Sequence, residues 1–246
     1  MRVLIALLGL LMVRSLMAEQ IVVVTDEWEG YTSKDGEGYY MDLLRQIYNQ
    51  PEDDLKILFV PYARSVGMVA SGKADIVLGI YQGEIDDKHL ALWVVEQDLV
   101  DILVAKETAL TWNGMKSLEG KVVLAKIGYA FDDITDVKMK YAEKSSLEGM
   151  VKMLSAGRAA GVLDYQADLR PLVKKEGLDK QGYTIIESVL SSPIYFGFAD
   201  NPKANLLKSR FENSFKDLYE SGELKRLMEK NLGNSKGLPE TLKSWQ

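Results

Sequence analysis

The chain has no cysteine among its 246 residues and only one histidine, His89. The absence of cysteine excludes a disulfide, a thiolate nucleophile, a zinc–cysteine cluster and a thiol for lipid attachment. A single histidine excludes paired-histidine metal motifs, and neither a loop of alternating aspartates nor a nucleotide-binding glycine pattern is present. We therefore expect no metal and no cofactor, and we interpret His89, which lies in an acidic stretch, as a surface residue.

Long apolar runs are also scarce. Residues 3–13 form one, after Arg2 and before a short stretch that ends in the small residue Ala18. This order is typical of a signal peptide, and Arg14 interrupts a run that is already short for a membrane span. We expect residues 1–18 to direct export to the periplasm and to be cleaved; an uncleaved membrane anchor is the alternative.

Basic residues are not in excess. Thirty lysines and arginines stand against 36 acidic residues, which gives a formal net charge of −6. A basic surface for nucleic acid is therefore not expected. The length that remains after the export signal suits two lobes of about a hundred residues each.

One sequence pattern occurs twice, at residues 65–81 and 150–166, and the two copies align when Gly72 is placed on Gly157. In each copy an apolar stripe with helical spacing ends at the glycine, and a basic residue and an apolar strand follow. The glycine suits the position after a helix, where a left-handed backbone is common. Internal similarity of this kind predicts two α/β lobes, with a binding site between them.

The spacing of apolar residues predicts the individual elements. Asp42 is a candidate N-cap for the first helix, and Pro171 is expected in the first turn of a later helix. We predict strands at residues 21–25, 55–60, 76–80, 121–125, 183–189 and 194–198, and helices at 42–48, 64–71, 134–142, 169–175 and 205–232. This alternation predicts a mainly parallel sheet flanked by helices in each lobe, an α/β architecture. The last helices are expected to pack against the first lobe.

Three motifs resemble those of the periplasmic solute-binding proteins that serve amino-acid importers, the extracellular solute-binding protein family 3. Residues 38–43 (GYYMDL) are similar to the family's Gly-Phe-x-x-Asp-Leu, and residues 71–75 (SGKAD) match its Ser-Gly-Lys-x-Asp. Residues 221–233 are similar to its closing pattern of short helix, glycine, helix and glycine. The resemblance covers nearly the whole chain after the export signal.

The resemblance implies a two-lobed periplasmic-binding fold in which two crossing strands act as hinges and the lobes close on a small solute. We place the first lobe at residues 19–104 plus 193–246 and the second at 105–192. The resemblance also implies a monomer that works with the membrane permease of an ABC importer. The alternatives are a partner of a membrane sensor, a dehydratase-like enzyme on the same fold, and a scaffold that has lost its ligand.

The chain departs from the family where the ligand is recognised. Members that bind amino acids carry an arginine shortly after the strand that corresponds to residues 76–80, and this arginine pairs with the ligand carboxylate. Here residues 81–88 read YQGEIDDK, with an aspartate near that place. Asp164, by contrast, matches the family aspartate that accepts hydrogen bonds from a ligand amine. We therefore expect an amine-bearing or polyhydroxylated ligand rather than a standard amino acid.

Ligands of open α/β sheets bind beyond the carboxyl ends of the strands. That rule selects residues from loops in both lobes: Asp26, Trp28, Tyr31, Tyr62, Arg64, Tyr81, Gln82, Lys126, Tyr129, Asp164 and Tyr165. The aromatic rings could enclose a cation or could simply pack beneath their loops. The backbone after Lys126 could bind an anion or form a plain turn. Arg64 could meet a ligand carboxylate or a structural acid, and Asp164 could accept from a ligand amine or could instead cap a helix or turn.

Overall fold

The computed structural model describes residues 19–242 and 244, so the expected export signal at 1–18 lies outside the described residues. The strands are β1 (Glu19–Thr25), β2 (Asp53–Phe59), β3 (Ile76–Ile80), β4 (Glu96–Ala105), β5 (Val122–Lys126), β6 (Lys140–Lys144), β7 (Gly161–Asp164) and β8 (Tyr183–Phe198). The helices are α1 (Tyr39–Ile47), α2 (Tyr62–Ala70), α3 (Lys106–Leu110), α4 (Leu147–Ser155), α5 (Gln166–Glu176), α6 (Pro202–Glu220) and α7 (Glu223–Leu232). None of these helices is long and apolar enough to cross a membrane.

The eight strands form a sheet in the order β2-β1-β3-β8-β4-β7-β5-β6. β1 pairs in parallel with β2 and β3, and β5 pairs in parallel with β6 and β7. β8 and β4 are antiparallel to each other and to their outer neighbours. Outward from the β8–β4 pair, the strands follow as β3, β1, β2 on one side and as β7, β5, β6 on the other. The two lobes therefore have the same strand order. This confirms the predicted α/β fold, with two mainly parallel lobes joined by two strands.

The repeated sequence pattern has the same structure in both lobes. Gly72 follows α2 with φ 69°, and Gly157 follows α4 with φ 68°. After each helix the glycine and the next residue donate backbone hydrogen bonds to the last turn, with the spacing of a Schellman motif. A residue with a β-carbon would be strained at either glycine, so this part of the prediction is confirmed.

Separate hydrophobic cores define the two lobes. The first-lobe core includes Phe196 and Phe211 and is covered by the C-terminal helices α6 and α7, as predicted. The second lobe has one core on each face of its sheet. Val123 and Ala125 point into one of these cores and Leu124 into the other, which is the alternation of a strand covered on both faces.

The chain passes between the lobes on β4 and β8. Buried residues belong to the first-lobe core up to Val95 and to the second-lobe cores from Val100 onward. On β8 the change falls between Leu190 and Ile194. We call residues 96–99 of β4 and 191–193 of β8 the crossing segments, and we call the surface around them the seam. The crossing segments pair with each other in antiparallel register.

Several details differ from the sequence predictions. Residues 134–142 are not a helix: a short 3-10 turn ends at Ile134, and β6 then pairs in parallel with β5. The apolar spacing there fits a helix, but pairing at the sheet edge overrides that local preference. Pro171 lies in the second turn of α5, because that helix begins directly after β7. Residues 183–198 form one strand, with Ser188 at φ 53° beside its irregularity.

Asp42 does not cap α1, whose N-cap is Gly38. The Asp42 carboxylate lies within the first turn and accepts hydrogen bonds from Lys230 at 2.8 Å and Asn231 at 3.0 Å. These bonds join α1 to α7. The residue therefore has a structural role in the first lobe.

Candidate functional site

Asp98 lies on the crossing segment of β4, and its Oδ2 accepts hydrogen bonds from both lobes. The Tyr81 hydroxyl donates at 2.7 Å and the Tyr165 hydroxyl at 2.9 Å. Tyr81 follows β3 in the first lobe, and Tyr165 follows β7 in the second. Burial raises the pKa of Asp98, while the two phenol hydrogen bonds oppose that rise. The carboxyl ends of β3 and β7 therefore meet at the seam, as the sequence rule predicts.

Glu96, at the start of the same strand, is buried and only 5% exposed. The Tyr40 hydroxyl donates a hydrogen bond to its Oε1, while its Oε2 has no hydrogen-bond partner among the described residues. Burial raises the pKa of Glu96 to about 8; the bond from Tyr40 opposes the rise and the charge of Asp98 adds to it. The first-lobe side of the crossing thus contains a carboxyl group that folding favours in its neutral form.

Aromatic rings line the first-lobe side of the candidate site. Trp28 and Tyr62 meet edge to face with 6.0 Å between ring centroids, and Tyr31 and Tyr40 lie 5.2 Å apart. Trp28 lies over Gly79 of β3, where an added β-carbon would come within 3.0 Å of the indole. Gly79 also has φ 66°, so the absence of a side chain there allows the tryptophan to sit directly on the strand.

A second aromatic group lies on the other lobe. The rings of Tyr129, Phe131 and Tyr165 are mutually 5.2–5.8 Å apart in tilted and edge-to-face arrangements. All three pack against a core of the second lobe. Tyr165 is the member that reaches the seam through its hydroxyl group, because that hydroxyl bonds to Asp98.

Lys126 occupies the end of β5 and pairs with two acids. Its Nζ lies 2.8 Å from Asp168 Oδ2 and 3.3 Å from Asp164 Oδ2, and 5.5 Å from the centroid of the Tyr129 ring. The pKa of Lys126 is raised: partial burial disfavours its charge, but the bond to Asp168 and the charge of Asp164 outweigh that cost. The lysine ammonium is thus enclosed by two carboxylates and a ring.

Asp164 is fully buried at the end of β7. Its Oδ1 accepts a hydrogen bond from the backbone N–H of Tyr165 at 2.9 Å, while the contact of Oδ2 with Lys126 lacks hydrogen-bond geometry. Burial raises the pKa of Asp164, opposed by that backbone bond and by Lys126. A cation of the chain itself therefore stands where the resemblance places a ligand amine.

The turn after β3 carries acids where amino-acid-binding members of the resembled family carry an arginine. Glu84 Oε2 accepts a hydrogen bond from the backbone of Tyr81 at 2.8 Å and another from the Tyr62 hydroxyl. Asp87 accepts from the Gln82 side chain at 2.8 Å and from the backbone of Gly83 at 3.1 Å. The turn is therefore held by its own carboxylates, and Gln82 is exposed and engaged within it.

Other sequence candidates have local roles. The Asp26 carboxylate accepts backbone hydrogen bonds from Glu27 and Tyr62, so it fixes the loop after β1. Arg64 is exposed on the first turn of α2. The backbone N–H of Gly128, which the sequence offers to an anion, donates to Glu143 at 3.0 Å instead.

His89 is less exposed than its sequence context suggests. Its side chain is only 13% exposed, and its Nε2 lies 3.4 Å from Asp200. The interpretation of a surface histidine is therefore corrected to a packed one. The acid that lies within ion-pair distance of its ring is Asp200, which comes from the loop after β8.

Sequence reasoning missed the acids of the crossing strand, Glu96 and Asp98, and the acid Asp168 that holds Lys126. The available signal was the presence of acidic residues inside the apolar stretch that carries the chain between lobes. Burial of a carboxylate is costly unless it is paired. An acid inside an apolar strand therefore indicates a buried partner or a site.

The described part of the chain contains no group of three or more His, Asp or Glu side chains placed to hold a metal ion. A cavity of about 460 Å³ opens beside Lys126 and Asp168, with Ser146 and Lys175 among its other walls. A second, of about 310 Å³, lies along α5. Both belong to the second lobe, and Lys126, which pairs with Asp164, lies in the wall of the first.

No protein-family model matches the chain, and no curated protein matches it in sequence. Solved structures match its fold. The GluR0 ligand-binding core in complex with L-glutamate has a TM-score of 0.62 and 15% identity, over 89% of this chain and 100% of that chain. The probable amino-acid ABC transporter extracellular-binding protein YtmK from Bacillus subtilis has a TM-score of 0.60 and 17% identity, over 88% and 98%.

A third structure, from work on glutathione import in Gram-positive bacteria via GshT and the cystine ABC importer TcyBC of Streptococcus mutans, has a TM-score of 0.61 and 19% identity, over 91% and 98%. These likenesses show that the chain has the two-lobed, type II periplasmic-binding fold that the sequence predicts. At such identities they establish the fold alone.

Proposed function

We propose that the chain is an exported, monomeric binding protein that holds a small amine-bearing solute at the seam and delivers it to the membrane permease of an ABC importer. It performs no chemistry and needs no cofactor. The observation that carries this proposal is the meeting of carboxylates and aromatic rings from both lobes beside the crossing segments. Motion about those segments would close the rings of one lobe over a solute held by the other.

The charge of the seam supports a cationic solute. Glu84, Asp98 and Asp164 place carboxylates near the strand ends of both lobes, and Lys126, which lies beside Asp164, is already shared between two acids. Aromatic faces attract ammonium groups and acids pair with them. A solute with a free carboxylate would meet acids at the turn after β3, where amino-acid-binding members of the resembled family carry an arginine.

The proposed solute contacts are the ring walls, formed by Trp28, Tyr31, Tyr62, Tyr81, Tyr129 and Tyr165, together with the Lys126–Asp164 pair. The sequence prediction divides the lobes into residues 19–104 with 193–246 and residues 105–192. We propose the same division with one change: the first crossing falls at the crossing segment of β4 rather than at residue 104, because Val100 and Val104 pack in the second lobe.

A panel of matched compounds tests the solute class. Protein refolded from denaturant to remove bound solute is titrated with putrescine and 1,4-butanediol, and with agmatine, glutamate and succinate. We expect putrescine or agmatine, the compounds of the panel that have cationic groups and no carboxylate, to stabilise the protein by about 2.7 kcal/mol at a hundred times the Kd, following the logarithm of concentration. The diol and the dicarboxylates should leave the melting temperature unchanged.

A pair of tryptophan variants locates the binding. Trp28→Leu should weaken the binding of the amine about tenfold, because a cation–π contact is lost. Trp93→Leu is the control, because Trp93 is also half-buried on the first-lobe core but donates to the backbone of Glu212. Equal stabilisation by the diol, stabilisation by the dicarboxylates alone, or equal weakening by both variants would refute the proposal.

A sensing role is the second candidate, because lobe closure around a solute can be recognised by either kind of membrane partner. In that case the closed form would be recognised by a membrane receptor instead of a permease. The two roles share the same binding step, since either partner reads solute occupancy from lobe closure. A neighbouring gene for a permease or for a receptor would separate them.

A further inference from the structure

The two phenols that bond to Asp98 are anchored in different lobes. Tyr81 packs against the first-lobe core, and its backbone N–H is held by Glu84. Tyr165 packs against a second-lobe core and is fixed by the rings of Tyr129 and Phe131, with centroids 5.5 and 5.8 Å away. Each ring therefore moves with its own lobe.

Asp98 is the point that the two lobes share. Along the chain it lies between Val95, where the first-lobe core stops before the crossing, and Val100, where a second-lobe core begins. On the returning strand it pairs with Ser192. Rotation of one lobe about the crossing segments would displace one phenol from the other. Because both donate to the same Oδ2 atom, at least one of the two bonds would have to break.

We propose that Asp98 is a positioning residue that clasps Tyr81 of the first lobe and Tyr165 of the second, and so holds the lobes together before solute binds. Hydrogen bonds from hydroxyl groups to a carboxylate are stronger than those between neutral groups. The clasp therefore sets how often the free protein opens. This inference needs no solute and goes beyond the proposed binding role.

Distances between labels on the two lobes test the clasp. Leu206 on α6 and Leu110 on α3 are 70% and 86% exposed, and cysteines introduced there would be the only ones in the chain. Nitroxide labels at Leu206→Cys and Leu110→Cys give the distribution of distances between the lobes by pulsed electron paramagnetic resonance. The protein is first refolded from denaturant, and circular dichroism checks that each variant is folded.

In this background Tyr165→Phe and Tyr81→Phe should each raise the ratio of open to closed molecules about tenfold, as the loss of about 1.4 kcal/mol would. Asp98→Asn, which keeps an acceptor oxygen but loses its charge, should have a smaller effect in the same direction. Tyr141→Phe is the matched control, because among the described residues that hydroxyl has one hydrogen bond, which it accepts from the backbone N–H of Phe131 in the same lobe.

A second link between the lobes supplies a further control. Lys236 in the C-terminal segment pairs with Glu187 on β8, where both residues are exposed, so Lys236→Met should change the distribution little.

The clasp is overturned if folded Tyr165→Phe and Tyr81→Phe both keep the parent distribution, or if only one of them changes it. It is also overturned if Lys236→Met or Tyr141→Phe shifts the distribution as much. A missing solute would not alter these outcomes, so failure here is distinct from failure of the binding proposal.

Discussion

Glu96→Gln should stabilise the protein by on the order of 4 kcal/mol at pH 8, but by only about 1 kcal/mol at pH 5. Burial raises the pKa of Glu96 to about 8, well above the roughly 4.3 of an unfolded chain. The folded protein therefore keeps a proton that the unfolded chain releases between these values. The stability contributed by this group is complete below about pH 4 and is lost as the pH rises through 8. Glutamine stays neutral throughout.

Urea unfolding of the parent and the variant at intervals from pH 5 to 9 measures this difference. Glu187→Gln is the control of opposite sign, because Lys236 and Arg170 lower the pKa of that exposed carboxyl. It should cost about 1 kcal/mol or less near pH 8. If Glu96→Gln changed stability equally at all these pH values, Glu96 would not be the neutral buried acid described above.

Lys126→Met should destabilise the protein by about 2–3 kcal/mol at pH 8 and lower its melting temperature by about 5–10 °C. Methionine keeps the apolar stem but removes the ammonium that lies near Asp164 and Asp168. Asp164 is fully buried, so its charge would be left without compensation. The loss should shrink toward pH 5, because the pKa of Asp164 is already raised by burial and a protonated acid needs no cation.

A double-mutant cycle assigns the effect to the pair. Asp164→Asn combined with Lys126→Met should recover most of the loss, since the buried charge is gone. Lys175→Met is the matched control: it removes a lysine from the wall of the same cavity, where it is exposed, and should change stability by about 0.5 kcal/mol or less. A loss that persists unchanged in the double variant would contradict this assignment, because the unpaired charge of Asp164 would then not be its cause.

The fold could be predicted from the sequence wherever a pattern has only one physical solution. The glycine after each apolar helical stripe leaves few options besides a left-handed turn, and Gly72 and Gly157 adopt it. Continuous apolar runs such as residues 76–80 become strands buried on both faces. Where two solutions were open, the sequence interpretation was wrong: residues 134–142 have spacing suited to a helix, but residues 140–142 belong to β6 and pair with β5 at the sheet edge.

The candidate site was predictable for the side chains that follow strands, because the carboxyl ends of parallel strands share one edge. Tyr81 and Tyr165 were selected on that basis and do converge. Their common acceptor was not predicted, because an acid inside a strand looks like a residue that faces solvent. Only the antiparallel crossing of β4 and β8 brings Asp98 between the two lobes.

Lys126 shows a second limit. The sequence suggested a backbone site for an anion after β5, yet the side chain is the group that matters there, and it is held by Asp168 and Asp164. These acids lie on and after β7, far from Lys126 in sequence. Which charges neutralise one another depends on tertiary contacts that spacing along the chain does not encode.

Mass spectrometry of the solute released on denaturation, from protein purified from its native source without dialysis, tests the central claim most directly. We predict a small molecule with a protonated amine, close to one per chain, that also stabilises the refolded protein. A neutral or acidic solute, or protein that carries none, would contradict the account.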